Sequence, residues 1–169
     1  LQVIRKADPE FKVSLAGNFH KELEADIYDY CIPIGASYPA EVLARRAQNN
    51  LPTTYYTCCT EAFPNTFTFS DPAEAAWMSY YSAKDHLDGY LRWAYNSWPK
   101  EPLLDSRFEA WAGGDTYLVY PGARSSIRFE KLIEGVQAHE KITILRKEFT
   151  DKKNKTGFKK LEKMLSTFN

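Results

Sequence analysis

Short apolar stretches rich in β-branched and aromatic residues alternate with helical patterns along most of this chain. Regular alternation of strand and helix is typical of parallel strands joined by crossover helices, so the sequence predicts an α/β fold. The predicted strands cover residues 11–17, 26–34, 51–59 and 89–95, and a fifth extended segment covers residues 115–121. The predicted helices lie near residues 20–26, 39–50, 72–87, 125–149 and 158–168.

Several helix ends carry clear signals. Pro39 stands at a helix start, and Asp71 followed by Pro72 and Glu74 forms a cap and first-turn signal. Ser125 or Ser126 is predicted to cap the long helix that follows. The last helix is apolar on one face and charged on the other, which indicates packing against a neighbour and not a membrane anchor.

Four strand and helix units amount to half of a TIM-type (β/α)8 barrel, which typically needs about 250 residues. With 169 residues beginning at Leu1, the chain is expected to be a single domain, residues 1–169, and a fragment of a larger protein. A half barrel exposes two strand edges. We therefore expect a second copy, as in a homodimer, or an upstream segment of the native protein, to cover them.

The charge balance argues against two classes of partner. The 22 Lys and Arg residues equal the 22 Asp and Glu residues, so the chain lacks the electrostatic footprint of a nucleic-acid or anionic-membrane binder. No apolar run is long enough to span a membrane. Metal and nucleotide motifs are absent from the sequence, and no cofactor is expected. The three cysteines, Cys31, Cys58 and Cys59, are interpreted as small apolar fillers on strands, and the adjacent pair is a poor candidate for an ordinary disulfide.

Polar and aromatic residues gather where the predicted strands end, which is where such barrels carry their chemistry. Asn18 and His20 follow the first strand, and Tyr55 and Tyr56 lie on the third and point to opposite faces. On the fourth strand, alternation places Tyr90, Arg92, Ala94 and Asn96 on one face and Leu91, Trp93, Tyr95 and Ser97 on the other. Trp98 lies past that strand, where a loop can fold it over the mouth of the barrel.

Six segments carry a resemblance to a known family. "VSLAGNFH", "DIYDYC", "PTTYYTCC" with "PNTF", "DGYLRWAYNSWPKEP", "GGDTYLVYPG" and "SSIRFEKLIEGVQAHEKITIL" occur in order between about Val13 and Leu145. Together they resemble the C-terminal part of the catalytic barrel of glycoside hydrolase family 123. The resemblance implies the C-terminal half of a (β/α)8 barrel, and an activity like that of β-N-acetylgalactosaminidases, which use substrate-assisted retaining hydrolysis.

In that family an adjacent Asp-Glu pair at the end of an earlier barrel strand does the acid and base work. This chain contains no Asp-Glu dipeptide. Loss of a proton donor alone costs about 10²–10⁴-fold in rate. We therefore assign no catalytic residue to the chain, expect the pair to lie upstream of Leu1, and expect the isolated chain to be inactive.

The remaining residues can still bind a sugar. Trp93 and Trp98 offer flat apolar faces, and Tyr55 or Tyr56 can hydrogen-bond an acetamido carbonyl. Asn18, His20 and Asn96 are candidates for hydrogen bonds to the ring hydroxyls of a sugar. Arg92 either pairs with an acidic residue such as Asp115 or tunes the protonation of a carboxylate.

Each assignment has a structural alternative. Trp93 can equally pack outward against helices, and one of the two tyrosines is expected in the core. Asp115 follows two glycines, a position more typical of a turn residue than of a catalyst. Arg128 and Glu130 are more typical of a structural ion pair or a helix cap.

Two functions of different class remain open from the sequence. One is a glycoside hydrolase of the β-N-acetylhexosaminidase type, whose partner is an N-acetylhexosamine-containing glycan. The other is a non-catalytic carbohydrate-binding or scaffold domain that keeps the aromatic groove. If the full-length protein degrades glycans, export to the periplasm or cell surface is expected.

Overall fold

The computed structural model describes residues 1–168, and its elements follow the predicted order. The helices are α1 (Gln2–Ala7), α2 (Ala40–Gln48), α3 (Pro72–Lys84), α4 (Ile127–Asp151) and α5 (Lys155–Leu165). The strands are β1 (Ser14–Ala16), β2 (Asp29–Pro33), β3 (Thr53–Tyr56) and β4 (Gly89–Leu91). A 3₁₀ turn (Glu24–Asp26) lies where the first short polar helix was predicted.

The four strands form one parallel sheet in the order β1-β2-β3-β4. Neighbouring parallel strands need a crossover between them, and the helices between β2, β3 and β4 belong to these connections. The predicted α/β class with four parallel strands is therefore confirmed. The sheet is consistent with part of a TIM-type barrel.

The predicted fourth strand was too long, and the fifth extended segment is not a strand. β4 ends at Leu91, and the chain beyond it pairs antiparallel with residues 116–118 instead of continuing along β3. These segments meet at the isolated bridge between Asn96 and Tyr117, and a second isolated bridge joins Tyr120 to Arg124 further along the chain. The alternation predicted for residues 90–97 therefore stops at Leu91, because the backbone turns to these new partners.

The contacts divide the chain into two compact units. The first contains residues 1–56 and 87–91, which include the whole sheet, and the second contains residues 57–86 together with the chain from residue 92 onward. The expectation of a single domain over residues 1–169 stays a prediction.

Arg46 of α2 is the central buried side chain of the first unit, and sequence reasoning missed it. Its guanidinium is fully buried and donates hydrogen bonds to the backbone oxygens of Ile27 (3.0 Å), Tyr28 (2.7 Å) and Pro52 (2.7 Å). The carboxylate of Glu24, which is also buried, lies 3.6 Å away and balances the charge. One side chain thus ties α2 to the entries of β2 and β3.

The second unit is built on three helices. α3 begins at a capping box, in which Asp71 and Glu74 exchange hydrogen bonds with each other's backbone, as the cap signal predicted. α4 begins at Ser126, whose side chain accepts from the Phe129 N–H. The last helix packs as predicted: Leu161 and Leu165 of α5 are buried in a cluster that also contains Ala83 and Ile142. Within residues 1–168, none of the helices combines the length and apolarity needed to cross a bilayer.

α3 and α4 approach closely at Gly135. A β-carbon built on Gly135 would lie 2.6 Å from the backbone oxygen of Ala76 and 3.0 Å from its Cα. Backbone atoms cannot give way as a flexible side chain does, so a larger residue at this position would push the two helices apart.

Replacing Arg46 by methionine is expected to destabilise the protein by about 3–5 kcal/mol, because the buried Glu24 would lose its buried counter-charge and the backbone oxygens of Ile27 and Tyr28 would lose the donors that Arg46 supplies. Thermal and urea unfolding measure this effect. Arg45→Met is the matched control: Arg45 also contacts Glu24, at 2.5 Å, but its side chain is half exposed. The control should cost less than about 1 kcal/mol. Equal losses in the two variants would contradict the role given to Arg46.

Candidate functional site

The predicted site residues fall into two groups, one in each unit. Asn18, His20, Tyr55 and Tyr56 belong to the first unit, on β3 and on the segment after β1. Arg92, Trp93, Asn96 and Trp98 belong to the second unit, on the segment that follows β4. Each group is described by itself.

Tyr30 of β2 holds the segment after β1. Its hydroxyl donates to the Asn18 backbone oxygen at 3.0 Å and accepts from the His20 N–H at 2.9 Å. The Phe19 ring between them packs against the rings of Tyr30 and Tyr38, with centroids 5.6 Å away in each case. The side chains of Asn18 and His20 are exposed, so their backbone is fixed while their polar ends face solvent.

The two tyrosines of β3 differ in burial, as alternation requires. Tyr55 is buried and packs against Tyr90 of β4 with ring centroids 5.3 Å apart. Tyr56 is partly exposed. Of the two, Tyr56 is therefore the one that is accessible to solvent.

Arg92 and Asp115 form a buried ion pair in the second unit. Arg92 Nη2 lies 2.6 Å from Asp115 Oδ1, and the two side chains are 4% and 0% exposed. Arg92 also donates to the Asp115 backbone oxygen at 2.6 Å and, through Nη1, to Asn65 Oδ1 at 2.9 Å. Of the two roles predicted for Arg92, the structure shows pairing with Asp115.

Arg128, at the start of α4, reinforces the same region. Its buried guanidinium donates through Nη1 to the backbone oxygens of Thr66 and Gly114 and lies over the Tyr117 ring, 5.3 Å from the centroid. Burial lowers the pKa of Arg128 and raises the pKa of Tyr117 to about 12. Gly114 has φ +77°, and a β-carbon there would lie 2.5 Å from Arg128, so the second glycine of the Gly-Gly-Asp motif is needed.

Three of the tryptophans lie on the segment held by these arginines. Trp93 and Trp111 contact each other with ring centroids 5.4 Å apart and remain 48% and 41% exposed. Trp98 is 36% exposed, and its Nε1–H donates to the Val119 backbone oxygen at 2.6 Å. Because these indoles are anchored yet open to solvent, they offer apolar faces suited to the C–H surface of a sugar.

Asn96 is also exposed, and it bridges to Tyr117 through the backbone.

The prediction that Cys58 and Cys59 fill a strand was wrong. β3 ends at Tyr56, Cys58 is only partly buried and Cys59 is exposed, whereas Cys31 lies buried on β2 as predicted. Among residues 1–168, no group of three or more His, Cys, Asp and Glu side chains is arranged to hold a metal ion.

Comparison with known proteins decides the family. The profile described as "Glycoside hydrolase 123, catalytic domain" matches residues 1–145. The chain belongs to this family. Eleven chains of known structure match it. One is a family 123 glycoside hydrolase from Clostridium perfringens, described in a study of glycolipid glycan hydrolysis, with a TM-score of 0.73 and 31% identity. No curated protein sequence matches.

The match to the Clostridium perfringens protein covers 85% of this chain and 27% of that one. This chain therefore spans about a quarter of that relative's length. The resemblance to glycoside hydrolase family 123 inferred from six sequence segments is confirmed, over nearly the range those segments occupy.

Sequence reasoning did not single out Asn65 or Trp111 in the candidate site, and it did not predict the contacts of Arg128. Trp111 lies just before the Gly-Gly-Asp motif that drew attention to Asp115, and an unassigned tryptophan there was a usable signal. Asn65 and Arg128 carried no such signal, because their partners are far away in sequence.

Replacing Asp115 by asparagine is expected to destabilise the protein by about 3–5 kcal/mol, since the buried Arg92 guanidinium would lose its counter-charge. Urea unfolding measures the loss. Asp105→Asn is the matched control, because Asp105 pairs with Arg107 at 2.8 Å on the surface, where solvent screens the interaction. We expect no measurable loss for this variant. An unchanged midpoint for Asp115→Asn would rule out the ion pair as an anchor.

Proposed function

We propose that this chain supplies a sugar-binding wall of a glycoside hydrolase that acts on N-acetylhexosamine-containing glycans by substrate-assisted retaining hydrolysis. The observation that carries the proposal is the set of exposed indoles on the Arg92-anchored segment of a family 123 catalytic domain. A glycan substrate is further supported by the relative from Clostridium perfringens, whose study concerns the hydrolysis of glycolipid glycans.

In this proposal Trp93 and Trp98 stack on the apolar faces of sugar rings. Trp98 is better prepared for that role, since its hydrogen bond to Val119 fixes the ring plane before a ligand arrives. Asn96, exposed between them, hydrogen-bonds a ring hydroxyl. Arg92 contributes indirectly, because its buried guanidinium is committed to Asp115 and Asn65 and holds the segment in place.

For the first unit, taken by itself, we propose polar contacts with a glycan. Tyr56 is assigned the acetamido carbonyl in preference to Tyr55, which is buried against Tyr90. Asn18 and His20 are assigned ring hydroxyls, since their side chains are exposed on a backbone that Tyr30 fixes. A hydrogen bond to the acetamido group matters because its oxygen is the internal nucleophile in substrate-assisted hydrolysis.

We propose that the Asp-Glu pair that does the acid and base work lies upstream of this chain in the whole protein. Two observations support this: the 169 residues contain no Asp-Glu dipeptide, and the match covers only 27% of the Clostridium perfringens chain. The same absence favours a second candidate function, a carbohydrate-binding or scaffold domain without catalysis. The two differ in whether a complete version of the protein turns over substrate.

Release of nitrophenol from an aryl β-N-acetylgalactosaminide tests the proposal. We expect turnover by a version of the protein extended on its N-terminal side and none by these 169 residues alone, because a missing proton donor costs about 10²–10⁴-fold. Activity in neither would favour the binding domain, and turnover by the short chain would disprove the placement of the acids. Sedimentation of the same samples tests the proposed homodimer, which a stable monomer of the short chain would contradict.

Replacing Trp98 or Trp93 by alanine is expected to weaken binding of N-acetylgalactosamine about 2–10-fold, the effect of losing one stacking face. Ligand-observed NMR titration measures the affinity, and circular dichroism shows whether the fold is kept. Trp77→Phe is the matched control, because Trp77 lies on α3 and stacks on Tyr81, 5.2 Å away. Affinities equal to that of the control in both variants would remove the tryptophans from the site.

A further inference from the structure

Cys58 and Cys59 are adjacent thiols just past the end of β3. Both are free, Cys58 is partly exposed and Cys59 is exposed. The Cys58 sulfur lies 3.1 Å from the Thr60 hydroxyl oxygen. Thiols that are neighbours in sequence and open to solvent can react with the same small molecule one after the other.

The backbone of Cys58 is held on both sides by side chains. Its N–H donates to Glu61 Oε2 at 2.6 Å, and its carbonyl accepts from Asn65 Nδ2 at 2.7 Å. Burial works to raise the pKa of Glu61, but hydrogen bonds from Cys58 and Thr60 outweigh it and lower the pKa. The carboxylate is therefore charged at neutral pH, and the Cys58 peptide groups have fixed orientations.

Asn65 connects this backbone to the buried ion pair of the candidate site. Its Oδ1 accepts from Arg92 Nη1 at 2.9 Å and from the Thr66 N–H at 2.8 Å. Arg92 in turn contacts Asp115 at 2.6 Å. A continuous series of hydrogen bonds thus runs from the Cys58 carbonyl to the anchor of the tryptophan-bearing segment.

We propose that Cys58 and Cys59 form a thiol–disulfide modification site for low-molecular-weight disulfides, and that oxidation loosens the Asn65–Arg92 contact. One cysteine thiolate attacks the disulfide and releases one thiol, leaving a mixed disulfide. The second thiolate then attacks the protein sulfur of that mixed disulfide and releases the other thiol. The two cysteines lose two electrons and two protons, and the small disulfide gains them.

The geometry makes backbone movement part of the reaction. Adjacent Cα atoms lie about 3.8 Å apart across a trans peptide, whereas disulfides usually span about 4.4–6.8 Å. The new ring contains the Cys58–Cys59 peptide, so closing it turns the Cys58 carbonyl. That carbonyl is one of two acceptors of Asn65 Nδ2, the other being the Glu61 carbonyl at 2.7 Å. Turning it removes one of the two bonds that orient the Asn65 amide, and we expect the Asn65 contacts with Thr66 and Arg92 to weaken as a result.

Cys31 serves as an internal control. It is buried on β2, out of reach of a dissolved disulfide, and burial raises its pKa to about 11. The pKa of Cys59 is also raised, so access to solvent is what distinguishes the adjacent pair from Cys31. We expect it to stay reduced under conditions that oxidise the adjacent pair.

The experiment treats the protein with oxidised glutathione at neutral pH, followed by peptide mass analysis and hydrogen exchange. We expect the peptide that contains residues 58–59 to lose two hydrogen atoms, reversibly on reduction, and exchange at the Thr66 amide to rise about fivefold. Cys59→Ser should stop at a mixed glutathione adduct with unchanged exchange, whereas Cys31→Ser should behave like the natural sequence.

Two results would overturn the proposal. The first is a pair that stays reduced or carries only glutathione adducts. The second is an intramolecular disulfide that leaves exchange at Thr66 unchanged, since the Asn65 contact would then be insensitive to oxidation. Neither readout uses a sugar or an aryl glycoside, so failure here is separate from failure of the proposed glycosidase function.

Discussion

Buried loop carbonyls need donors, and in this chain arginine side chains supply them. The segments between strands and helices leave backbone oxygens that no ladder or helix satisfies, and each such oxygen is costly when buried. Arg46 donates to four backbone oxygens in the first unit, those of Glu24, Ile27, Tyr28 and Pro52, of which the Glu24 and Pro52 oxygens also accept a backbone N–H. Arg128 donates to two in the second unit. Guanidinium suits this task because it carries five donors in a fixed plane and stays charged when buried. A few arginine side chains therefore hold the loops of this chain in place, in addition to the sheet.

This arrangement separates anchoring from binding. Arg92, Asp115 and Asn65 are buried and occupied with one another, whereas Trp93 and Trp98 on the same segment remain open. Arg92 Nη1 and Nη2 and Asp115 Oδ1 are hydrogen-bonded, whereas Arg92 Nε and Asp115 Oδ2 are buried without a hydrogen-bond partner among the described residues. In the proposed site, a segment anchored by this pair presents apolar ring faces to a neutral ligand. The conformational entropy lost in ordering the segment is lost on folding and not on binding. Neutral overall charge fits the same ligand class, since a sugar needs no electrostatic steering.

The sequence predicted what local patterns control, and it failed where contacts are distant. The capping box at Asp71 and Glu74 and the cap at Ser126 were readable because each involves residues a few positions apart. The end of β4 was not, because Leu91 is followed by residues that still alternate correctly but pair with residues 116–118. Arg46 contacts partners up to 22 positions away, and Arg128 contacts Thr66, 62 positions away. No periodicity marks such partners. The family resemblance succeeded because it combined six segments whose order carries information that no single pattern holds.

Three carboxylates of the second unit, those of Glu61, Glu74 and Asp115, are bound to structural partners and are poor candidates for a proton donor. A general acid that works near neutral pH needs a raised pKa, which burial without a partner provides. Glu61 has the opposite character, since hydrogen bonds from Cys58 and Thr60 lower its pKa. Glu74 accepts from the Asn65 and Asp71 backbones, and Asp115 faces Arg92 across 2.6 Å. Each of these carboxylates accepts hydrogen bonds from partners that hold the loops. The proposed glycosidase therefore takes its acid from other side chains, in line with the proposed pair upstream of this chain.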